Sequence, residues 1–493
     1  MSVINVINLT FAYDGSYDNI FENVSFQIDT AWKLGFIGRN GRGKTTFLRL
    51  LLGKYDYSGS ISARVDFEYF PYEVTDKENK TIDVIAGICP DYLDWELMRE
   101  LNLLAVSADV LQRPFHTLSM GEQTKVLLAA LFLRENCFLL IDEPTNHLDM
   151  NARHLVSNYL KSKRGFILIS HDRAFLDNCI DHILSINIMD IDIQKGNFSS
   201  WWRNKERQDS YELAENRKLQ KDIKRLKNAA RQVSDWSDKA ERTKYVGKQS
   251  SEGKPDRGYI GHKAAKMMAR SKAIGDRKQK AIEEKSKLLK NIEIADNLKI
   301  SPIHYHTGRL ADFENMSIFY GEKIVCTGVN FSIERGDRIA LCGRNGSGKS
   351  SILKLICGEQ ISFTGSFRKG SQLKISYVSQ DTAFLQGNLT DYATAAGIDE
   401  SLFKAILRKL DFSRAQFEKD IADFSGGQKK KVLIAKSLCE QAHLYIWDEP
   451  LNYIDVLSRM QIEELLVRYQ PTILFVEHDK IFCENIATKF VNL

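Results

Sequence analysis

The glycine-rich stretch GRNGRGKTT, Gly38 to Thr46, is followed 99 residues after Lys44 by the paired carboxylates Asp142 and Glu143, and 28 residues later by His171. The same set recurs from GRNGSGKSS, Gly343 to Ser351, where Lys349 precedes Glu449 by 100 residues and His478 follows 29 later. Both stretches fit the G-x-x-x-x-G-K-[ST] pattern. Gly38, Asn40, Gly41 and Gly43, and Gly343, Asn345, Gly346 and Gly348, let backbone N–H groups turn inward around a phosphate. The helix that follows, opening on Thr46 or Ser351, adds its positive N-terminal end. Lys44 and Lys349 then reach the β- and γ-phosphates of a nucleoside triphosphate, while Thr45 and Ser350 ligate Mg²⁺. LLIDE and YIWDE are apolar strands ending in two carboxylates. The first of each pair, Asp142 or Asp448, is expected to hold the Mg²⁺ shell. The second, Glu143 or Glu449, is placed to polarise an attacking water. A histidine after an apolar strand, directly before Asp and at matching offsets, gives His171 and His478 a role at the γ-phosphate or that water. Tyr13 and Tyr320 precede their glycine-rich turns by 25 and 23 residues and are candidates to stack on a base.

These motifs need elements to hold them. LSMGEQ at 118–123 and FSGGQK at 424–429 repeat as well, so the chain carries two copies of one domain. Each copy opens with strand-like alternation (INVINLTFAY and NVSFQI; VNFSIE). Apolar strand-sized runs then alternate with helical patterns, the signature of an α/β domain whose strands feed phosphate-binding turns.

Between the copies the composition changes. The chain has a net charge of +5, yet residues 201–300 alone hold 27 Lys and Arg against 15 Asp and Glu. Leu219, Ile223, Leu226, Ala230 and Val233 recur at steps of four and three, and Met267, Ile274, Ala281 and Leu288 at sevens. Gly253, Pro255, Gly258 and Gly261 interrupt the two stretches. The pattern predicts two long antiparallel helices over 199–302, with a basic, aromatic-tipped loop near 246–263. The flanking domains are 1–198 and 303–493. A solvated spacer is the plain reading of such a charge run; the strong basic excess and the aromatic Tyr259 go beyond what a spacer needs. The cysteines, 8 in all, are scattered without a Cys-x-x-Cys pair, as for reduced thiols. No run approaches membrane-span length, and MSVINVINLT lacks the features of a secretion signal.

Taken together, these motifs resemble the ATP-binding cassette ATPases. The resemblance implies that Ser119 with Gly121, and Ser425 with Gly427, begin signature helices that bind the γ-phosphate of ATP held by the other cassette. Two cassettes would then close head-to-tail over two ATPs. Gln380 in YVSQD looks like the family's Q-loop glutamine, a further Mg²⁺-site residue, and Tyr72 stands at the matching place in YFPYE. Met120, Leu451, Tyr453 and Ile454 also depart from the family pattern, which makes the two sites unequal. The segment DEPTNHLD, two cassettes in one chain and a helical linker resemble the ABC-F family, and RGYIGHKAAKMM resembles its Lsa-type resistance branch.

That resemblance implies a cytoplasmic monomer with intramolecular cassette pairing and no membrane subunit. Its cofactors are ATP and Mg²⁺. Its partners are the bacterial ribosome at the large-subunit exit-site region and peptidyl-site tRNA. Lys244, Lys254, Arg257, Tyr259, His262 and Lys263 are the expected contacts. Lincosamides, pleuromutilins and streptogramin A are the implied drugs. A housekeeping ABC-F translation factor is the near alternative. The ATPase half of a transporter and a DNA-repair cassette ATPase are more distant ones.

Overall fold

A computed structural model describes residues 2–14, 19–146, 148–186, 191–242 and 298–493. The chain divides into two compact units, residues 1–201 with 295–493, and residues 202–294. The predicted second linker helix, the tip loop and all six expected ribosome contacts, Lys244, Lys254, Arg257, Tyr259, His262 and Lys263, lie outside the described residues.

In the first cassette the order is β1 (Val3–Phe11), β2 (Phe21–Asp29), β3 (Lys33–Ile37), α1 (Lys44–Leu51), β4 (Ser58–Ser62), β5 (Asp66–Phe70), α2 (Thr81–Ile88), α3 (Asp94–Leu103), α4 (Met120–Phe132), β6 (Cys137–Asp142), α5 (Met150–Ser162), β7 (Phe166–Ile169), α6 (Arg173–Cys179), β8 (His182–Ile186) and β9 (Ile191–Lys195). Helix α7 (Phe198–Arg242) follows. The second cassette repeats the plan with β10 (Arg309–Tyr320), β11 (Lys323–Glu334), β12 (Arg338–Cys342), α8 (Lys349–Cys357), β13 (Ser362–Lys369), β14 (Ile375–Val378), α9 (Leu389–Ala395), α10 (Glu400–Lys409), α11 (Gly426–Cys439), β15 (Leu444–Asp448), α12 (Val456–Tyr469), β16 (Ile473–Val476), α13 (Lys480–Ile486) and β17 (Lys489–Asn492).

Each cassette holds two sheets. The larger runs β5-β6-β7-β3-β8-β9 in the first and β14-β15-β16-β12-β17 in the second. All pairings in them are parallel except β8 with β9. The central strands read CFLLID, FILI, LYIWD and ILFV because helices cover both faces, leaving no polar side to alternate with. The smaller sheets, β2-β1-β4 and β11-β10-β13, are antiparallel. Helix α1 is buried between the two sheets of its cassette: Phe47 and Leu48 lie in one apolar cluster with Ile4, Val6, Phe36 and Leu140. The second cassette repeats this with Ile352 and Leu353 against Leu310, Phe313, Leu341 and Ile446.

In the second unit, helix α7 carries local side-chain bonds one turn apart. Trp202 Nε1 donates to Glu206 at 2.7 Å, and Gln208 Nε2 donates to Glu212 at 2.9 Å. Such i,i+4 pairs support a helix whose surface is polar. All eight cysteines are free thiols. No described helix is long and apolar enough to cross a membrane.

Candidate nucleotide sites

Motifs far apart in the sequence meet because their strands are neighbours in one sheet. In β5-β6-β7-β3 every strand runs the same way, so the C-terminal ends carry Tyr72, Asp142–Glu143, His171 and the Gly38–Thr46 loop to one edge. Ligands of open α/β sheets bind at that edge. Residue Asp142 pairs in register with Ile169, and Asp448 with Val476, which sets each carboxylate beside its histidine loop. The second cassette gathers Gln380, Asp448–Glu449, His478 and Gly343–Ser351 in the same way.

The loops have the expected wrapped form. Gly43 has φ 89°, and a Cβ there would lie 2.4 Å from Ile20 Cγ2, so only glycine fits at this turn into α1. Lys44 Nζ donates to the carbonyls of Gly38 at 2.7 Å and Arg39 at 3.0 Å; Lys349 Nζ donates to Gly343 and Arg344, both at 2.9 Å. Tyr13 and Tyr320 sit at the loop helices, their hydroxyls bonded to Thr46 at 2.8 Å and Ser351 at 3.2 Å. The two residues are 41% and 50% exposed.

Oxygen donors converge where Mg²⁺ is expected. Thr45 Oγ1 donates to Asp142 Oδ2 at 2.8 Å, and Ser350 bonds Asp448. Burial raises the carboxyl of Asp142, and pushes Asp448 to about 6. Asp448 Oδ1 is buried without a hydrogen-bond partner among the described residues. A hard dication supplies what that oxygen lacks, and hydroxyl, carboxylate and phosphate oxygens are its usual ligands. Among the described residues no three His, Cys, Asp or Glu side chains form a metal cluster, so a cation here draws on hydroxyls and phosphates.

Glu143 and Glu449, the residues expected to polarise the attacking water, differ. Burial and the neighbouring Asp142 push Glu143 up to about 8. Its Oε1 lies 3.2 Å from Nε2 of His171, whose own pKa burial and Lys44 hold well below the ordinary value. Burial also acts on Glu449, but His478, Gln380 and Lys430 outweigh it and hold this carboxyl below its ordinary value. Gln380 Nε2 and Asn452 Nδ2 both donate to Glu449 Oε2, at 2.9 and 2.6 Å. Among the described residues Tyr72, at the position matching Gln380, makes no such bond; Tyr69 OH donates to Asp142 Oδ2 at 3.0 Å.

Each site is completed by the other cassette. A cavity of about 710 Å³ is lined by Lys349, Ser350, Gln380, Glu449 and His478 from the second cassette and by Ser119, Met120, Gly121 and Asp149 from the first. Ser119 caps α4 through a reciprocal bond with Glu122, and Ser425 caps α11 through Gln428, so both signature serines sit at helix N-termini. Across the first site the contact is tighter. Asn40 Nδ2 donates to the carbonyl of Tyr453 at 2.8 Å. A Cβ on Gly427 would lie 2.3 Å from that carbonyl, so this signature position also demands glycine.

Several structural residues escaped the motif reading, and the repeat itself held the signal for them. Lys125 and Lys431, Arg153 and Arg459, and Asp149 and Asp455 recur at equal offsets. In the structure Lys431 Nζ pairs with Asp455 at 2.9 Å, both buried. Arg153 pairs with Asp172 at 3.0 Å, and Arg459 with Asp479 at 3.4 Å, tying each histidine loop to the helix that precedes it. Leu451, a departure in the second motif, is explained by a partner change. Thr145 Oγ1 meets Ser170 Oγ at 3.2 Å in the first cassette; in the second, Glu477 Oε1 accepts the Leu451 backbone N–H at 2.8 Å.

The ABC transporter family model matches residues 21–146 and 326–452. Ribosome protection protein VmlR of Bacillus subtilis (strain 168) is 29% identical over 97% of this chain and 85% of its own length. ATP-binding protein Uup of Buchnera aphidicola subsp. Acyrthosiphon pisum is 28% identical over 99% of this chain and 80% of its own. Among solved structures, a complex of archaeal ribosomal stalk protein aP1 with archaeal ribosome recycling factor aABCE1 aligns at TM-score 0.63 and 18% identity, covering 98% of this chain and 87% of that one. A structure of RNase-L Inhibitor aligns at 0.61 with 17% identity over 98% and 87%. These two show the shared tandem fold.

Proposed function

This chain belongs to the ABC transporter family of ATP-binding proteins, as an ATP- and Mg²⁺-dependent ATPase of the ABC-F type with two cassettes in one polypeptide; from that premise we propose that it acts on the bacterial ribosome and protects it from antibiotics. The observation that carries this reading is the segment between the cassettes. Residues 201–300 hold 27 basic against 15 acidic side chains, with Tyr259 among glycines at their centre. Cations neutralise rRNA and tRNA phosphates, and an exposed aromatic stacks on or wedges unpaired bases. The name and 29% identity of the Bacillus protein support the same direction.

ATP is the glue in this mechanism. Lys44 and Lys349 grip the β- and γ-phosphates, and Ser119 or Ser425 of the opposite cassette meets the γ-phosphate. Thr45 with Asp142, and Ser350 with Asp448 and Gln380, would hold Mg²⁺, which neutralises phosphate charge. Glu143 and Glu449 orient the attacking water, His171 and His478 brace it, and hydrolysis releases the closed form. The closed, cytoplasmic monomer binds the exit-site region of the large subunit beside peptidyl-site tRNA. Lys244, Lys254, Arg257, Tyr259, His262 and Lys263 then reach toward the peptidyl-transferase centre and dislodge lincosamides, pleuromutilins and streptogramin A. Expression in a susceptible bacterium tests this. Raised inhibitory concentrations of lincomycin and tiamulin are expected. Unchanged values at good expression would leave a housekeeping ABC-F translation factor instead.

A further inference from the structure

Helix α6 follows the histidine loop of the first cassette and packs on α13 of the second. At this junction the Arg173 guanidinium bonds the Glu463 carboxylate of α12. Both side chains are largely buried, 8% and 13% exposed. The other oxygen of Glu463 accepts from Asn485 Nδ2 at 2.6 Å, so the carboxylate is held by its own cassette while it grips the other.

The repeat shows that this bond exists on one side only. Asn178 of the first cassette matches Asn485, and it bonds Ser157 at 2.9 Å, the residue matching Glu463. The residue matching Arg173 is Lys480, which is 70% exposed and lies 3.7 Å from Glu484 of its own helix. The internal asparagine bond is thus kept in both copies. The ion pair between cassettes is found where Arg173 meets Glu463; at the matching positions stand Lys480, paired within its own helix, and the uncharged Ser157. The joined side is also the side where Asn40 holds Tyr453, and where Arg39 lies 3.7 Å from Asp411.

We propose that Arg173 and Glu463 are positioning residues for ATP hydrolysis: a one-sided tether that holds the first cassette's histidine loop, and with it His171, in register against the second cassette. Arg173 is two residues from His171, and Asp172 between them is pinned by Arg153. A displaced Arg173 therefore moves a loop that has little other freedom. A buried pair with a bonded carboxylate restrains that loop better than an exposed one, and losing one partner strands a charge.

The test uses the full chain without ribosomes and so does not depend on the ribosomal reading. Steady-state ATPase is measured for Arg173→Ala, Glu463→Ala, both together, and the charge swap Arg173→Glu with Glu463→Arg. Each alanine should lower kcat/KM by roughly tenfold, and the double variant should be no worse than either single, as for residues acting as one unit. The swap should recover most of the loss, which a purely space-filling role would not produce. Lys480→Ala should match wild type. The more conservative Arg173→Lys and Glu463→Gln, which keep side-chain length, should show smaller losses and serve if the alanine variants do not fold. Wild-type rates in the alanine or conservative variants would overturn the proposal. So would a folded swap without recovery, or an equal loss in Lys480→Ala.

Discussion

The side-chain amide of Asn40, in the first glycine-rich loop, donates to the backbone carbonyl of Tyr453, 413 positions away in the second cassette. Tyr453 itself adopts φ 64°, an uncommon conformation for a bulky side chain. Its ring also packs on Gly426, whose added Cβ would lie 3.4 Å from Cδ2. One residue thus touches the first loop and adjoins the second cassette's own signature turn, so the first candidate nucleotide site is built from both cassettes.

Replacing Glu143 and Glu449 together by Gln should leave ATP binding intact and abolish turnover, trapping the closed form. Sedimentation with ribosomes in ATP should show the double variant pelleting more than wild type. The singles should differ: Glu449, held ionised by its neighbours, is the readier base. Glu449→Gln should therefore lose more of the ATPase rate at pH 7 than Glu143→Gln.

The raised pKa of Glu143 has a stability consequence in the nucleotide-free protein. Its ordinary value is 4.5, and the folded value is about 8. Between these the native state keeps a proton that the unfolded chain has released, so this group's contribution falls as pH rises through that window. Glu143→Gln removes the dependence. Its Tm should exceed that of wild type at pH 8, and the gain should shrink toward pH 5. A constant difference across that range would rule this cause out.

Lys431→Met should be costly. It leaves Asp455, fully buried, without its cation, while only its bonds to Ser458 remain. Breaking one half of a buried pair costs about 3–5 kcal/mol. Urea denaturation should show the loss as a lower midpoint with an unchanged slope. Asp455 also lies in the field of Lys44, so nucleotide affinity of the first site should fall with it.

Tyr259→Ala should reduce resistance while ATPase activity and protein level stay at wild-type values, since base stacking is worth roughly 1–3 kcal/mol. Phenylalanine at this position should preserve resistance if stacking is what matters. Full resistance in the alanine variant would shift the work to the loop backbone with Lys254 and Arg257.

Changing Lys221, Lys224 and Lys227 to Gln should weaken ribosome binding and flatten its salt dependence by counterion release. An unchanged salt slope would mark these lysines as a solvated face.

Much of this protein was legible as sequence because its nucleotide-binding motifs are local. A glycine-rich turn, a strand ending in two carboxylates and a histidine after a strand each carry their chemistry within a few residues. Duplication then made the spacing its own check, so Lys44, Glu143 and His171 could be matched to Lys349, Glu449 and His478 from letters alone. What tertiary structure decided is what depends on neighbours distant in the chain. Glu143 and Glu449 occupy the same position in one motif, yet their protons are held differently. Tyr72 stands where the second cassette has Gln380, and Gln380 and Asn452 both reach Glu449. Arg173 and Glu463 lie 290 positions apart and fit no motif. Neither residue type predicts burial, and only the packing of α6 on the second cassette removes both from water and makes them partners. Electrostatics in a low-dielectric interior is set by distance in space, and that is the quantity a sequence does not carry.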